Sequence, residues 1–176
     1  MSNWTDPRAV EQPHEYIDFS GLTGGSTFYT TSANPFETGY IYLFEYSLLW
    51  SGSGNNNPSL QVINSAGTIR NGSQYVENGA TFNTPNIDML DNSRDEGEAV
   101  GRGYFFNAAD SSLFTQIVLQ SDVMEDNGVL QNIQESYTNS GHCTIAESHT
   151  KFRVQSYGTT YASGSYIKVT KRKILL

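Results

Sequence analysis

GYIYLFEYSLLW, residues Gly39 to Trp50, decides the fold. From Tyr40 onward the residues alternate between two faces. One face carries Tyr40, Tyr42, Phe44, Tyr46, Leu48 and Trp50; the other carries Ile41, Leu43, Glu45, Ser47 and Leu49. A two-residue period in aromatic and branched residues is strand text. Both faces are mostly apolar, which predicts a central strand covered on both sides for much of its length.

The flanking text repeats the same grammar. SGSGNNNP (51–58) is a loop, and SLQVINSAGTIRNGSQY (59–75) returns as a strand followed by turns, one of them at Asn71-Gly72. Upstream, HEYIDFS (14–20) and STFYTTS (26–32) read as strands. Downstream, QYVEN, ATFNT, GYFFN (103–107), LFTQIVLQS (113–121), VLQNIQESYTN (129–139) and HCTIAESHTKFRVQSYG (142–158) continue the series, closing with SYIKVTKRKIL. PNIDMLDNSRDEGEAVGRG (85–103) is poor in β formers and predicts an excursion between two halves, with one helical turn at IDMLDNS.

This spacing predicts an all-β fold: one antiparallel β-sandwich, jelly-roll-like. The expected organisation is an extended arm over residues 1–13, a sandwich domain over 14–170 and a basic end over 171–176. The expected core is Ile17, Phe19, Phe44, Leu48, Leu60, Val62, Phe106, Ile117, Leu119, Phe152, Val154, Ile167 and Val169.

Charge narrows the function. The net charge is −8, unevenly spread: all 18 acids and four arginines lie in the first 150 residues, and six bases with no acid lie in the last 26. A surface that acidic repels nucleic acid, so none is expected as a partner. The absence of an apolar run of about 18 residues gives no membrane partner either. The start, MSNWTDPRAVEQPHEY, has neither the basic nor the apolar region of a signal peptide. Cys143 is the one cysteine, read as a small buried hydrophobe without disulfide or metal.

No enzymatic motif stands out, and no cofactor is expected. The histidines are His14, His142 and His149. A Cys143–His149 pair is conceivable beside Glu147, but on a single strand the two would lie about 20 Å apart at ~3.3 Å per residue. The acids from Asp88 to Glu98 lack a calcium-loop spacing and read as a solvated loop. Trp50, Tyr75, Tyr104, Tyr137, Tyr157 and Tyr161 are candidates for stacking on sugars, weighed against the commoner role of strand aromatics in packing.

The chain resembles the small β-sandwich virion proteins of tailed bacteriophages, found as capsid decoration (cement) proteins or tail-fibre modules. The resemblance rests on YIDFSGL, YIYLFEYSLLWSGSGNNNPSLQVINSAGTIRNGSQY, GRGYFFN…SLFTQIVLQS and KFRVQSYGTTYASGSYIKV, in that order, over roughly residues 15–170. It departs at the end, where VTKRKILL continues in place of a closing glycine. It implies a virion structural protein assembled in the host cytoplasm. The short chain, its arm and its basic end favour a decoration protein on the head. The alternatives are a tail-fibre or receptor-binding protein contacting host glycans, and a carbohydrate-binding module. The implied partners are the major capsid protein or another virion protein, and further copies of the chain in a trimer or dimer. Trp4 in the arm, with Lys171, Arg172 and Lys173 at the end, are the expected attachment residues.

Overall fold

In a computed structural model of the chain, residues 15–21, 27–29, 36–51, 58–77, 84–89, 97–125, 133–155, 160–162 and 164–174 are described. They form twelve strands and no helix. These are β1 (Glu15–Gly21), β2 (Thr27–Tyr29), β3 (Tyr40–Ser51), β4 (Ser59–Asn64), β5 (Tyr75–Glu77) and β6 (Ile87–Asp88) in the first half. The second half supplies β7 (Gly97–Phe106), β8 (Gln116–Glu125), β9 (Ile133–Cys143), β10 (His149–Gln155), β11 (Thr160–Tyr161) and β12 (Tyr166–Lys173).

The strands form two antiparallel sheets. The larger runs β1-β12-β3-β7-β8-β9-β5, with β11 paired to the end of β3; the smaller runs β2-β10-β4-β6. The pairs β1·β12, β2·β10, β3·β7 and β4·β6 are the rungs of one long folded hairpin. Rolling that hairpin brings β12 beside β3 and β10 beside β4. This is jelly-roll connectivity. The β8–β9 pair and β5 are additions that widen one sheet beyond the other.

The strand at 40–51 is central as the alternation predicts, between β12 and β7. Its inner face places Tyr42, Phe44, Tyr46 and Leu48 in the core, whereas Ile41, Leu43 and Leu49 on the outer face are only half-buried. The core side chains of the facing sheet are Leu60, Val62, Phe152 and Val154. Of the expected core, Ile117, Leu119, Ile167 and Val169 are also buried; the side chains of Ile17 and Phe19 lie outside the described residues.

Phe106 corrects the expectation. It lies on the outer face, and Phe105 takes the core position. The reason is in the register. Gly101 and Gly103 sit opposite Tyr46 and Phe44. A Cβ on either glycine would collide with those rings and with the carbonyl of the next strand. The aromatic rings thus occupy the inner face of β7 that its own residues leave empty. That arrangement fixes the odd-numbered residues of β7 inward.

The stretch at 85–103 is also corrected. Ile87 and Asp88 form β6, Ile87 and Met89 are fully buried, and residues 97–103 belong to β7. Polar groups fix this segment against the larger sheet. Ser121 donates to the Met89 carbonyl at 2.6 Å, and Asn139 Nδ2 donates to the Asp88 carbonyl at 2.7 Å.

Truncating Phe44 or Phe152 to Ala is expected to cost ~3–5 kcal/mol in chemical denaturation. Gly103→Ala, which adds a single methyl group, is expected to cost about 1–3 kcal/mol by overpacking. Because its added methyl competes with the Phe44 ring, Gly103→Ala combined with Phe44→Leu should cost less than the two separately. Simple additivity would show that the ring and the glycine are not in contact.

Candidate functional site

The expected attachment residues are distributed differently from their sequence order. Trp4 lies outside the described residues. Lys171, Arg172 and Lys173 do not follow the last strand; they are its final turn of the ladder, opposite Tyr42, Ile41 and Tyr40. Lys171 points inward and is buried. Its Nζ lies 2.6 Å from Glu37 Oε1 and 4.9 Å from the centre of the Tyr40 ring. Its charge is therefore used inside the protein, closing the edge of the core. Arg172 and Lys173 are exposed, and Arg172 reaches the outer face of the larger sheet.

Among the described residues, that outer face carries exposed apolar side chains. Cross-strand register aligns its residues in rows. One row is Thr170, Leu43, Tyr104, Val118 and Ser140; beside it Arg172 pairs with Ile41, and Phe106, Gln116, His142 and Val76 follow one another across the ladder. Tyr104 and Val118 are exposed, and the Tyr104 and Phe106 rings stack at 6.2 Å. Two depressions lie along these rows. One, of about 230 Å³, is framed by Ile41, Leu43, Tyr104, Phe106, Thr170 and Arg172. The other, of about 460 Å³, lies towards β5 and is bounded by Phe114, Gln116, Val118, Ser140, His142 and Val76.

The connection between β7 and β8, residues 107–115, forms the wall of the second depression. Local hydrogen bonds shape it. Asn107 takes a left-handed backbone with φ 58°, and the Asp110 carboxylate accepts from both the amide and the hydroxyl of Ser112. Those bonds hold the Asp110 carboxyl below the usual carboxylate range. The Ala108 carbonyl accepts the His149 amide at 2.7 Å, and the Thr115 carbonyl accepts the Cys143 amide at 3.0 Å. With both ends anchored, Leu113 and Phe114 stand out at 47% exposure each. Phe114 stacks on His142 at 5.5 Å and 20°.

Beneath the wall lies a buried polar network. Thr115 Oγ1 is 2.7 Å from His149 Nδ1, and both residues are fully buried. His149 Nε2 stands 3.2 Å from Glu147 Oε1, off the line of a hydrogen bond. Glu147 is clamped by both arms of Arg70 and accepts from Asn64 Nδ2 at 3.1 Å. The Arg70 guanidinium, foremost, holds the Glu147 carboxyl below its ordinary range. Burial pushes the Cys143 thiol up and the His149 imidazole down. Tyr75 completes the junction, accepting the Val62 amide and donating to the Arg70 carbonyl, each at 2.8 Å.

Hydroxyl, imidazole and carboxylate in this order are the parts of a nucleophilic relay. Here the hydroxyl and the ring have no surface that a substrate can touch, and their hydrogen bonds serve to tie three connections together. The Cys143–His149 question also changes, because the chain crosses from one sheet to the other between them. Neither sequence spacing nor strand alternation reveals such a junction, since its members come from three separate turns. Among the sugar-stacking candidates, Tyr75 and Tyr161 are core residues, Tyr137 is half-buried and Tyr104 is exposed. The Trp50 side chain and all of Tyr157 lie outside the described residues. Among the described residues no cluster of three or more His, Cys, Asp or Glu is arranged to hold a metal. Asp88 instead accepts from Asn86, and Glu98 accepts from Ser47 at 3.2 Å.

The His149 geometry sets an acid sensitivity. The folded state keeps the imidazole neutral below its ordinary value of 6.5, whereas the unfolded chain takes up a proton there. The unfolded state then binds more protons, so stability falls as pH drops below about 6.5. Below the ordinary glutamate value of 4.5 the unfolded chain also takes up a proton at Glu147, while the Arg70 clamp keeps the folded carboxylate charged. The stability that this pair contributes is therefore lost progressively as pH falls further. Thermal denaturation should show a midpoint falling between pH 7.5 and 5.5, and His149→Gln should flatten that part of the curve. A wild-type midpoint unchanged over this range would exclude a neutral buried imidazole. Compared with known proteins, the chain matches no family model and no curated sequence.

Proposed function

We propose that this protein is a virion structural protein of a tailed bacteriophage, a decoration protein that docks on the capsid through the outer face of its larger sheet. The observation that carries the reading is the depression at Ile41, Leu43, Tyr104 and Phe106, rimmed by Arg172. Apolar side chains at the centre and a cation at the rim are the anatomy of a protein interface. The sandwich already has a core between its sheets, so this second apolar surface serves no packing purpose within the described residues. Lys173 beside Arg172 adds positive charge to one end of a molecule whose net charge is −8, which would orient it on an acidic neighbour. Jelly rolls occur in capsid proteins and in lectins alike, so the fold supports the reading without deciding it. A symmetric shell would present many copies of one docking site, which suits attachment as a trimer or dimer.

The test is rebinding of purified protein to particles stripped of it. Wild type should bind saturably. Leu43→Glu, which places a charge in the centre of the contact, should weaken binding by at least about tenfold. Arg172→Ser with Lys173→Ser should weaken it at low salt and converge on wild type as salt rises. Binding of Leu43→Glu equal to wild type, or no binding by any form, would overturn the proposal.

A further inference from the structure

We infer that the depression between Phe114 and β5 is a binding site for a neutral saccharide. Its size, lining and rigidity each point to that chemistry, and none of them depends on the virion reading.

The volume of about 460 Å³ falls in the range of small-ligand sites and suits one or two sugar rings. The lining contains no Lys, Arg, Asp or Glu. On a chain with 28 such residues, a groove whose one ionisable lining side chain is His142, its ring stacked on Phe114, offers no fixed charge to phosphates, carboxylates or amines. What remains is a ligand that is polar and uncharged. The stacked Phe114 and His142 rings provide a flat platform, with Phe114 half exposed. A pyranose ring presents a face of C–H groups that packs on an aromatic plane and a rim of hydroxyls that require partners. Gln116 lies directly opposite His142 in the ladder and is exposed. A carboxamide both donates and accepts, which matches neighbouring sugar hydroxyls. A purely apolar partner would leave that amide desolvated and unpaired.

Rigidity adds the third argument. Phe114 is followed by Thr115, which is locked to His149 and to the Cys143 amide from below. The platform therefore needs little ordering when a ligand arrives, which recovers part of the cost of binding. A shallow site of this kind implies weak affinity for one sugar, about millimolar, raised by multiple copies on one particle.

The test is a titration of isotope-labelled protein with neutral oligosaccharides of glucose, galactose, mannose and N-acetylglucosamine, followed by amide chemical shifts. At least one series should give saturable shifts centred on residues 113–118 and 140–142. Phe114→Ala and Gln116→Ala should each weaken that binding by about tenfold or more, with the shifts of core amides unchanged as proof of folding. Leu43→Glu, at the other depression, should bind the saccharide as wild type does, which separates this site from capsid docking. The inference is overturned if no neutral series saturates, if the shifts centre elsewhere, or if a folded Phe114→Ala titrates like wild type. It is equally overturned if the same amides shift with protein concentration alone and sugar adds nothing, because the groove would then be a contact between copies.

Discussion

Phe152 is the side chain through which the two sheets hold each other. It comes from the smaller sheet and meets Phe105 at 4.7 Å and Phe44 at 5.3 Å on the larger one. Phe36, ahead of β3, closes the group against Phe152, Tyr42 and Phe105. Aromatic rings meeting at tilted angles fill the space between sheets that stand about 10 Å apart. The group depends on an absence: Gly103 leaves open the place where the Phe44 ring lies. Side chains of any size at 101 and 103 would push Tyr46 and Phe44 off β7 and force the sheets apart.

The widening of one sheet creates the next constraint. Four strands face eight, so the smaller sheet cannot cover β8, β9 and β5 with apolar side chains alone. The segment 84–89 extends the cover. Where it meets the larger sheet, the contacts are a mixture of Ile87 and Met89 with hydrogen bonds from Ser121 and Asn139. Tyr46 also bonds to Ser121, so the same hydroxyl links the aromatic row to the added segment. Burial pushes the Tyr46 phenol up, keeping it a neutral donor at any ordinary pH. These polar contacts fix position where packing alone would allow sliding.

The alternation of β3, β4, β8, β10 and β12 was legible because each strand has one face in the core, and period two survives in the text. Ile117 and Leu119, or Phe152 and Val154, need no more than that rule. Phe105 and Phe106 defeat it, since adjacent phenylalanines carry no phase and the decisive residues are the two glycines before them. Lys171 defeats it in another way. A lysine in a basic run reads as solvated, but its aliphatic stem covers the end of the core while Glu37, far away in sequence, receives the charge. The polar junction was invisible for a third reason. Arg70, Thr115 and Glu147 belong to separate connections and His149 opens β10, and only the jelly-roll connectivity brings them together. Sequence text reports what a strand buries well, and reports poorly what separate turns build jointly.

The same junction explains how a surface groove is possible on a sheet. A flat ladder offers rows of side chains but no walls. A wall needs a loop that stands up from the sheet, and loops stand up only when something holds their base. Here the base is Thr115, and its partner His149 opens β10, a strand of the opposite sheet. Phe114, one residue away, faces solvent. The rigidity of the sandwich interior is thus transmitted to the groove across a single peptide unit. The polar groups of the junction cost desolvation, and an apolar plug would fill the space with less penalty. An apolar plug, however, would lack the directional bonds that orient residues 107–115. The network is best understood as the means by which a stable but featureless sheet acquires a shaped surface.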